Sequence, residues 1–247
     1  MLGHNKKDKV LIRGCIFDYG GTLDTAGRHW GRVLWDGYVR HGVPVDEAAF
    51  RDAYVFAERR LGSCPIIRPD DTFRTTLDKK LALELGFLSS GERAYISEKD
   101  AAKFRKDILD DIYEGVKQTT AESRKVLKAV KARFPMVLVS NFYGNIGTVL
   151  GEFWLDGLFD SVIESAAVGV RKPDPAIFRL GVEALGLLPE ETVVVGDSYD
   201  KDIVPACQAG CRAVWLKGEG WDERQYDESL PDAVITELGQ VLNVGWL

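Results

Sequence analysis

Short apolar runs alternate with amphipathic helical patterns along most of this chain. Apolar runs typical of buried strands precede Asp18 and recur over residues 136–140, 161–164, 192–196, 213–216 and 233–235. Helical patterns separate them, and the last turn of one pattern is followed by a stop signal at Gly186. Strands separated by helices predict βαβ units, so we expect an α/β fold with a doubly wound, mostly parallel sheet.

One long stretch departs from this alternation. From about residue 26 to 114 the pattern is helical throughout, with leucines at four-residue spacing at Leu77, Leu81 and Leu85. We therefore expect residues 25–116 to form an inserted all-helical cap, with residues 1–24 and 117–247 forming the sheet-containing core. Such an insertion should cover the edge of the sheet where Asp18 lies. Residues 119–122, with the sequence Thr-Thr-Ala-Glu, fit a capping box and predict a new helix start.

Polar residues stand where the predicted strands end. Asp18 closes the first strand and is followed by Gly20, Gly21 and Thr22, which allow a tight turn close to a ligand. A hydroxyl and an amide follow the second strand, a lysine precedes a helix, and two carboxylates follow the fourth strand: Ser140, Asn141, Lys172, Asp197 and Asp202. Ligands of open α/β sheets bind at the carboxyl ends of the strands, so we expect these side chains to form one site.

The chemistry of these side chains indicates phosphoryl transfer with a metal ion. The carboxylates of Asp18, Asp197 and Asp202 are hard oxygen ligands suited to Mg²⁺. Asp18 is placed to attack phosphorus and form an aspartyl-phosphate. Positive charge and hydrogen bonds for the phosphoryl oxygens are expected from Gly21, Thr22, Ser140, Asn141 and Lys172.

Together the four segments resemble the four motifs of the haloacid dehalogenase superfamily, in order and each at a predicted strand end. The resemblance implies a Rossmann-like core with a helical cap, and it implies catalytic roles for Asp18, Ser140 and Lys172. It also implies that the backbone carbonyl of Gly20 binds the metal ion together with the carboxylates. Asp202 is expected either to ligate the metal or to orient Lys172 or a metal-bound water.

Gly20 departs from the family pattern, because phosphatases of this superfamily carry an acid/base aspartate at that position. Loss of a placed acid costs roughly 10²–10⁴-fold in rate, so we expect acyl and aryl phosphates to react faster than sugar phosphates. A histidine of the cap, His29 or His41, could supply the proton. Asp24 is expected to satisfy local backbone donors. Dehalogenases and phosphonoacetaldehyde hydrolases also lack the aspartate, but the acidic loop and the position of the cap lysines fit them poorly.

The composition of the chain limits which classes of function are expected. The chain is 45% hydrophobic and 28% charged, with a net charge of −6 and dispersed cations, which does not favour a nucleic-acid partner. No apolar run approaches the ~20 residues of a membrane span, and four cysteines without CxxC spacing predict reduced thiols in a cytoplasmic protein. We therefore expect a Mg²⁺-dependent hydrolase of a small phosphorylated metabolite. The alternative is a phosphate-ligand binding or regulatory protein without turnover, and the oligomeric state stays open.

Overall fold

A computed structural model describes residues 10–90, 95–221 and 224–245, and its centre is a parallel sheet. The six strands are β1 (Gly14–Phe17), β2 (Met136–Ser140), β3 (Ser161–Glu164), β4 (Thr192–Gly196), β5 (Arg212–Leu216) and β6 (Ala233–Ile235). They lie in the order β3-β2-β1-β4-β5-β6 and every neighbouring pair is parallel. The predicted doubly wound parallel sheet is confirmed, and β1 lies at its centre.

Both faces of the sheet are covered, which explains why its strands are nearly continuous apolar runs. Successive residues of β1 alternate between two hydrophobic clusters, with Cys15 and Phe17 in one and Ile16 in the other. The helices are α1 (Trp30–Arg40), α2 (Glu47–Ser63), α3 (Phe73–Ser89), α4 (Glu98–Lys131), α5 (Ile146–Glu152), α6 (Ser165–Val168), α7 (Ala176–Leu185) and α8 (Val204–Gln208). None of the described helices is both long and apolar enough to span a bilayer. The four cysteines are free thiols.

Residues 25–116, which we call the cap, are helical wherever the structure describes regular elements in them, through α1, α2, α3 and the first half of α4. The predicted helix start at 119–122 is wrong, because α4 runs unbroken through it. The hydroxyls of Thr119 and Thr120 donate to the carbonyls of Gly115 (3.1 Å) and Val116 (2.8 Å), one turn back in the same helix. The helix begins instead after Ser97, whose hydroxyl accepts from the backbone N–H of Asp100 at 3.1 Å.

Trp221, in the segment after β5, anchors the cap to the core. Its ring packs against those of His29 and Tyr54, with centroids 5.2 and 5.0 Å away, and the guanidinium of Arg51 lies 4.3 Å from its centroid. A Cβ at Gly31 would lie 1.7 Å from the Trp221 ring, so only glycine fits there. The start of α1 is thereby held against the core beside the carboxyl edge of the sheet.

Candidate active site

The carboxyl edge of the sheet brings three of the predicted segments together. Phe17 of β1 is in register with Leu138 of β2 and with Val195 of β4, so the residues that follow these strands converge. The backbone N–H of Asp18 donates to the carbonyl of Val195 at 3.0 Å, and its side chain is buried. A cavity of about 990 Å³ opens there, lined on the core side by Asp18, Ser140, Asn141, Lys172, Asp197 and Asp202.

Lys172 is the positive centre of this edge. It is only 4% exposed, and its ammonium contacts the carboxylates of Asp18 and Asp202, the latter at 2.7 Å. The second oxygen of Asp202 accepts from the backbone N–H of Ser198 at 3.0 Å. Asp202 is thus in contact with Lys172 and also lies beside the carboxylates of Asp18 and Asp197.

Thr22 joins two of the carboxylates. Its hydroxyl oxygen lies 3.0 Å from Asp18 Oδ2 and 2.9 Å from Asp197 Oδ1, and it accepts from the backbone N–H of Asp197 at 3.0 Å. Gly21 has a φ of +104°, and a Cβ there would lie 2.4 Å from the carboxylate of Asp197. The second glycine of the turn is therefore required by the close approach of Asp197.

The electrostatics of the site fit a bound cation. One oxygen each from Asp18, Asp197 and Asp202 lies within 4.8 Å of the others, and carboxylate oxygens suit Mg²⁺. Burial raises the pKa of Asp18 to about 6, against the lowering effect of Lys172. Burial and the charge of Asp18 raise the pKa of Asp197 well above its ordinary value. Burial opposes the charge of Lys172, but the facing carboxylates outweigh it and raise the pKa of the lysine. One ammonium thus faces three carboxylates, and a divalent ion would relieve their repulsion.

The predicted phosphate-binding residues are partly engaged by the protein itself. The side-chain amide of Asn141 donates to the carbonyl of Lys172 and accepts from its N–H, both at 2.9 Å, so it holds the lysine segment in place. The backbone N–H of Gly21 donates to Asp24 Oδ1 at 2.7 Å. Ser140 is buried and lines the cavity.

Gly20 lines the cavity without a side chain, and its neighbours are polar. The nearest heavy atom to a Cβ built at Gly20 is Nε1 of Trp30, at 3.9 Å. The same Nε1–H donates to Asp24 Oδ2 at 3.1 Å. Asp24 is 1% exposed, and burial raises its pKa to about 7. Its bond from Gly21 confirms the expected role toward local backbone donors, whereas the contact with Trp30 was not foreseen.

The two histidines of the cap occupy different places. His29 lines the cavity, and its Nδ1 accepts from the backbone N–H of Gly31 at 3.0 Å at the start of α1. His41 is not among the residues that line the cavity, and its Nε2 lies 3.1 Å from Asp111 Oδ2. The structure therefore keeps only His29 beside the site.

Sequence reasoning missed a second polar cluster, on the cap wall of the cavity. Lys80 of α3 is 7% exposed, pairs with Glu58 of α2 and lies 4.4 Å from the ring centroid of Tyr54. The hydroxyl of Tyr143, from the core loop after β2, donates to Glu58 at 3.2 Å. These four residues, the cap-wall cluster, join the cap to the core across the cavity. The helical pattern of α3 carries no signal that would have singled out Lys80.

Fold and site together define an α/β protein with a lysine-bridged acidic pocket at the carboxyl edge of a parallel sheet. A family model for haloacid dehalogenase-like hydrolases matches residues 12–210, and the chain belongs to that family.

Curated relatives match over part of their length. A glyceraldehyde 3-phosphate phosphatase from Pyrococcus furiosus is 40% identical over 91 residues, which are 36% of this chain and 38% of that protein. A phosphoserine phosphatase from Thermus thermophilus is 40% identical over 83 residues, 34% of this chain and 32% of that protein. The chain thus spans about a third of the length of these relatives.

Solved structures match over nearly the whole chain. The crystal structure of a dehalogenase with an intermediate complex has a TM-score of 0.63 and 17% sequence identity, and the match covers 94% of this chain and 96% of that one. At this identity the likeness shows the fold alone.

Proposed function

We propose that this protein is a Mg²⁺-dependent phosphatase of a small phosphorylated metabolite and that it acts through an aspartyl-phosphate on Asp18. The observation that carries the proposal is the buried contact of Lys172 with Asp18 and Asp202, all three of which line a large cavity. A lysine in that position neutralises a phosphoryl group that approaches Asp18. The names of the partial relatives, phosphatases of small phosphorylated molecules, support the same substrate class.

The residues divide the work as follows. An oxygen of Asp18 attacks phosphorus, and the bond to the leaving oxygen breaks. Lys172 and the donors at Ser140 hold the phosphoryl oxygens, and Asn141 keeps the lysine segment in register through its paired hydrogen bonds. Water then attacks the phosphorus of the aspartyl-phosphate and releases inorganic phosphate and the carboxylate of Asp18.

We further propose that Mg²⁺ is held by Asp18, Asp197 and the backbone carbonyl of Gly20, with Asp202 beside it. When bound, the ion offsets the repulsion between an anionic nucleophile and an anionic substrate. Gly20 lacks the aspartate side chain of the family motif but keeps its backbone carbonyl, so the atypical motif is compatible with metal binding.

The test is a screen of small phosphorylated metabolites with and without Mg²⁺, using the parent protein and Asp18→Asn. We expect phosphate release that requires Mg²⁺ and is abolished by Asp18→Asn, because the amide is no nucleophile. Calorimetry should show Mg²⁺ binding that Asp197→Ala strongly weakens. A parent protein that binds phosphorylated ligands and Mg²⁺ but releases no phosphate from any of them would favour the alternative, a binding or regulatory protein.

A further inference from the structure

Asp24 presents a fixed carboxylate to the cavity, six residues after the nucleophile. Its Oδ1 accepts from the backbone N–H of Gly21 at 2.7 Å, and its Oδ2 accepts from Nε1–H of Trp30 at 3.1 Å. A carboxylate has about four lone-pair sites, so each oxygen keeps capacity for a further proton or hydrogen bond. Two donors, one in the turn after β1 and one at the start of α1, therefore hold the group without saturating it.

A side chain at position 20 would lie close to the indole group that binds Asp24. A Cβ built on Gly20 has Trp30 Nε1 as its nearest heavy atom, at 3.9 Å, and among the described residues no other heavy atom outside its immediate chain neighbours lies within 4 Å. At that distance a carboxylate at position 20 could reach the indole N–H that Asp24 now uses. Gly20, Asp24 and Trp30 line the same cavity as Asp18. The chain thus delivers a carboxylate to this spot from residue 24.

We propose that Asp24 is the general acid and base of this site, in place of the side chain that position 20 lacks, and that Trp30 is its positioning residue. This inference rests on the proposed function. In the first step Asp18 attacks phosphorus, the phosphorus–oxygen bond to the leaving group breaks, and the leaving oxygen takes the proton of the Asp24 carboxyl group. In the second step water attacks the aspartyl-phosphate, gives its proton to the Asp24 carboxylate, and the phosphorus–oxygen bond to Asp18 breaks. The cycle consumes one water and returns both carboxyl groups to their starting state.

His29 is the competing proton donor, and its geometry is less suitable. Its Nδ1 accepts from the backbone N–H of Gly31, and its ring packs against Trp221 with centroids 5.2 Å apart. That contact belongs to the joint between cap and core. Asp24, by contrast, lies on the turn that carries Asp18. Its donor, the indole N–H of Trp30, is also the atom nearest to a Cβ built at Gly20.

The experiment compares an aryl phosphate with an alkyl phosphate, p-nitrophenyl phosphate and glycerol phosphate, in the presence of Mg²⁺. The aryl group leaves without a proton, so Asp24→Asn should still form the phosphoenzyme but hydrolyse it slowly. We expect a burst of about one nitrophenol per active site and a phosphoenzyme trapped by acid quench, with turnover of the alkyl phosphate reduced by about 10²–10⁴-fold. Trp30→Phe should show the same split to a smaller degree.

The matched control is Asp46→Asn, which alters a carboxylate that also accepts a backbone N–H, that of Ala49 at 2.8 Å, at the start of α2. It should show neither the burst nor the difference between substrates. Thermal unfolding of each variant checks its fold, and if Asp24→Asn does not fold, Trp30→Phe carries the test. Gly20→Asp introduced into Asp24→Asn should restore alkyl-phosphate turnover, because both side chains serve the same place.

Three results would overturn the proposal. Equal losses on both substrates without a burst would make Asp24 a structural residue. A burst produced by His29→Gln and not by Asp24→Asn would assign the proton to the histidine. If no phosphoenzyme can be trapped from the parent, from Asp24→Asn or from His29→Gln, the proposed function itself is refuted. This outcome can be told apart from the first two, because the intermediate that Asp24 is proposed to hydrolyse would then not exist in any of the three proteins.

Discussion

Two lysines are buried against the same cavity, one from the core and one from the cap. Lys172 is 4% exposed and contacts two carboxylates, Asp18 and Asp202; Lys80 is 7% exposed, contacts one carboxylate and lies over an aromatic ring. Lys172 follows a loop that could be recognised in the sequence, whereas Lys80 lies inside a helix next to a second lysine, Lys79, with nothing in the sequence to distinguish the two. A buried, paired ammonium group could thus be predicted from the sequence for Lys172 but not for Lys80.

The two lysines also differ in what their charges contact. Lys172 contacts Asp18, the proposed nucleophile, so in the proposed reaction its charge acts where the phosphoryl group is transferred. Lys80 pairs with Glu58, which accepts a hydrogen bond from Tyr143 of the core. The charge of Lys80 therefore stabilises the contact between cap and core. We expect substitutions of the two lysines to affect different kinetic constants.

The largest effect is expected from Lys172→Met compared with Lys80→Met. Lys172→Met removes the cation that we propose to stabilise the transferring phosphoryl group, and losses from removal of one such contact are about 10²–10³-fold in kcat. Lys80→Met should change mainly KM, together with a loss of stability, because it leaves Glu58 without its ammonium partner. Steady-state kinetics on one phosphate ester separate the two results. A loss of kcat in Lys80→Met as large as that in Lys172→Met would show that both lysines act on the reacting group.

The strand ends at the site could be predicted from the sequence, whereas the extent of helix α4 could not. The carboxyl ends of β1, β2 and β4 could be recognised because each apolar strand stops at a polar residue, and parallel strands bring such ends to one edge. The continuous helix α4 was missed, because Thr119 and Thr120 offer the side chains of a capping box but donate to carbonyls within the helix.

Pairings of distant residues away from the strand ends could not be predicted. The lysine side chain of Lys80 has an alkyl stem that packs as apolar residues do, and its partners come from another helix and from the core loop. The indole of Trp30 meets Asp24 only because α1 begins close to the turn after β1. Such contacts depend on how elements pack, which local periodicity does not encode.

A smaller effect is expected at Glu84, a buried residue of α3 near Lys80. Burial raises its pKa from 4.5 to about 7, against the lowering effect of Lys80 and of a hydrogen bond from Tyr38. Between these values the folded state holds a proton that the unfolded state releases, so the stability of the parent should fall as pH rises through this window. Glu84→Gln should remove that dependence and be more stable than the parent at about pH 8, by up to about 3 kcal/mol for a shift of this size.

Denaturant unfolding of both proteins at about pH 5 and about pH 8 checks this expectation. At the lower pH the two free energies of unfolding should approach each other. A parent that is more stable than Glu84→Gln at the higher pH would show that the carboxylate is favourably paired in the folded cap.

The smallest effect concerns the joint between cap and core. Gly31→Ala places a Cβ 1.7 Å from the Trp221 ring, so we expect a destabilisation of about 1–3 kcal/mol from overpacking. Gly115→Ala in α4 is the matched control, since no atom of the described residues outside the helix's own backbone lies within 4 Å of a Cβ there, and it should stabilise the protein by about 0.5–1 kcal/mol. Similar free energies of unfolding for the two variants would mean that Trp221 moves aside without cost.

The most direct test of the central claim is to trap the phosphoryl group on Asp18. The parent protein is mixed with Mg²⁺ and acetyl phosphate, an acyl phosphate whose leaving group needs no proton, then quenched in acid and digested for mass spectrometry. We predict one phosphoryl group on the peptide that contains Asp18, sensitive to hydroxylamine as acyl phosphates are, and none in Asp18→Asn. Release of phosphate by the parent with no phosphoryl group on that peptide at any quench time would contradict the assignment of Asp18 as the nucleophile.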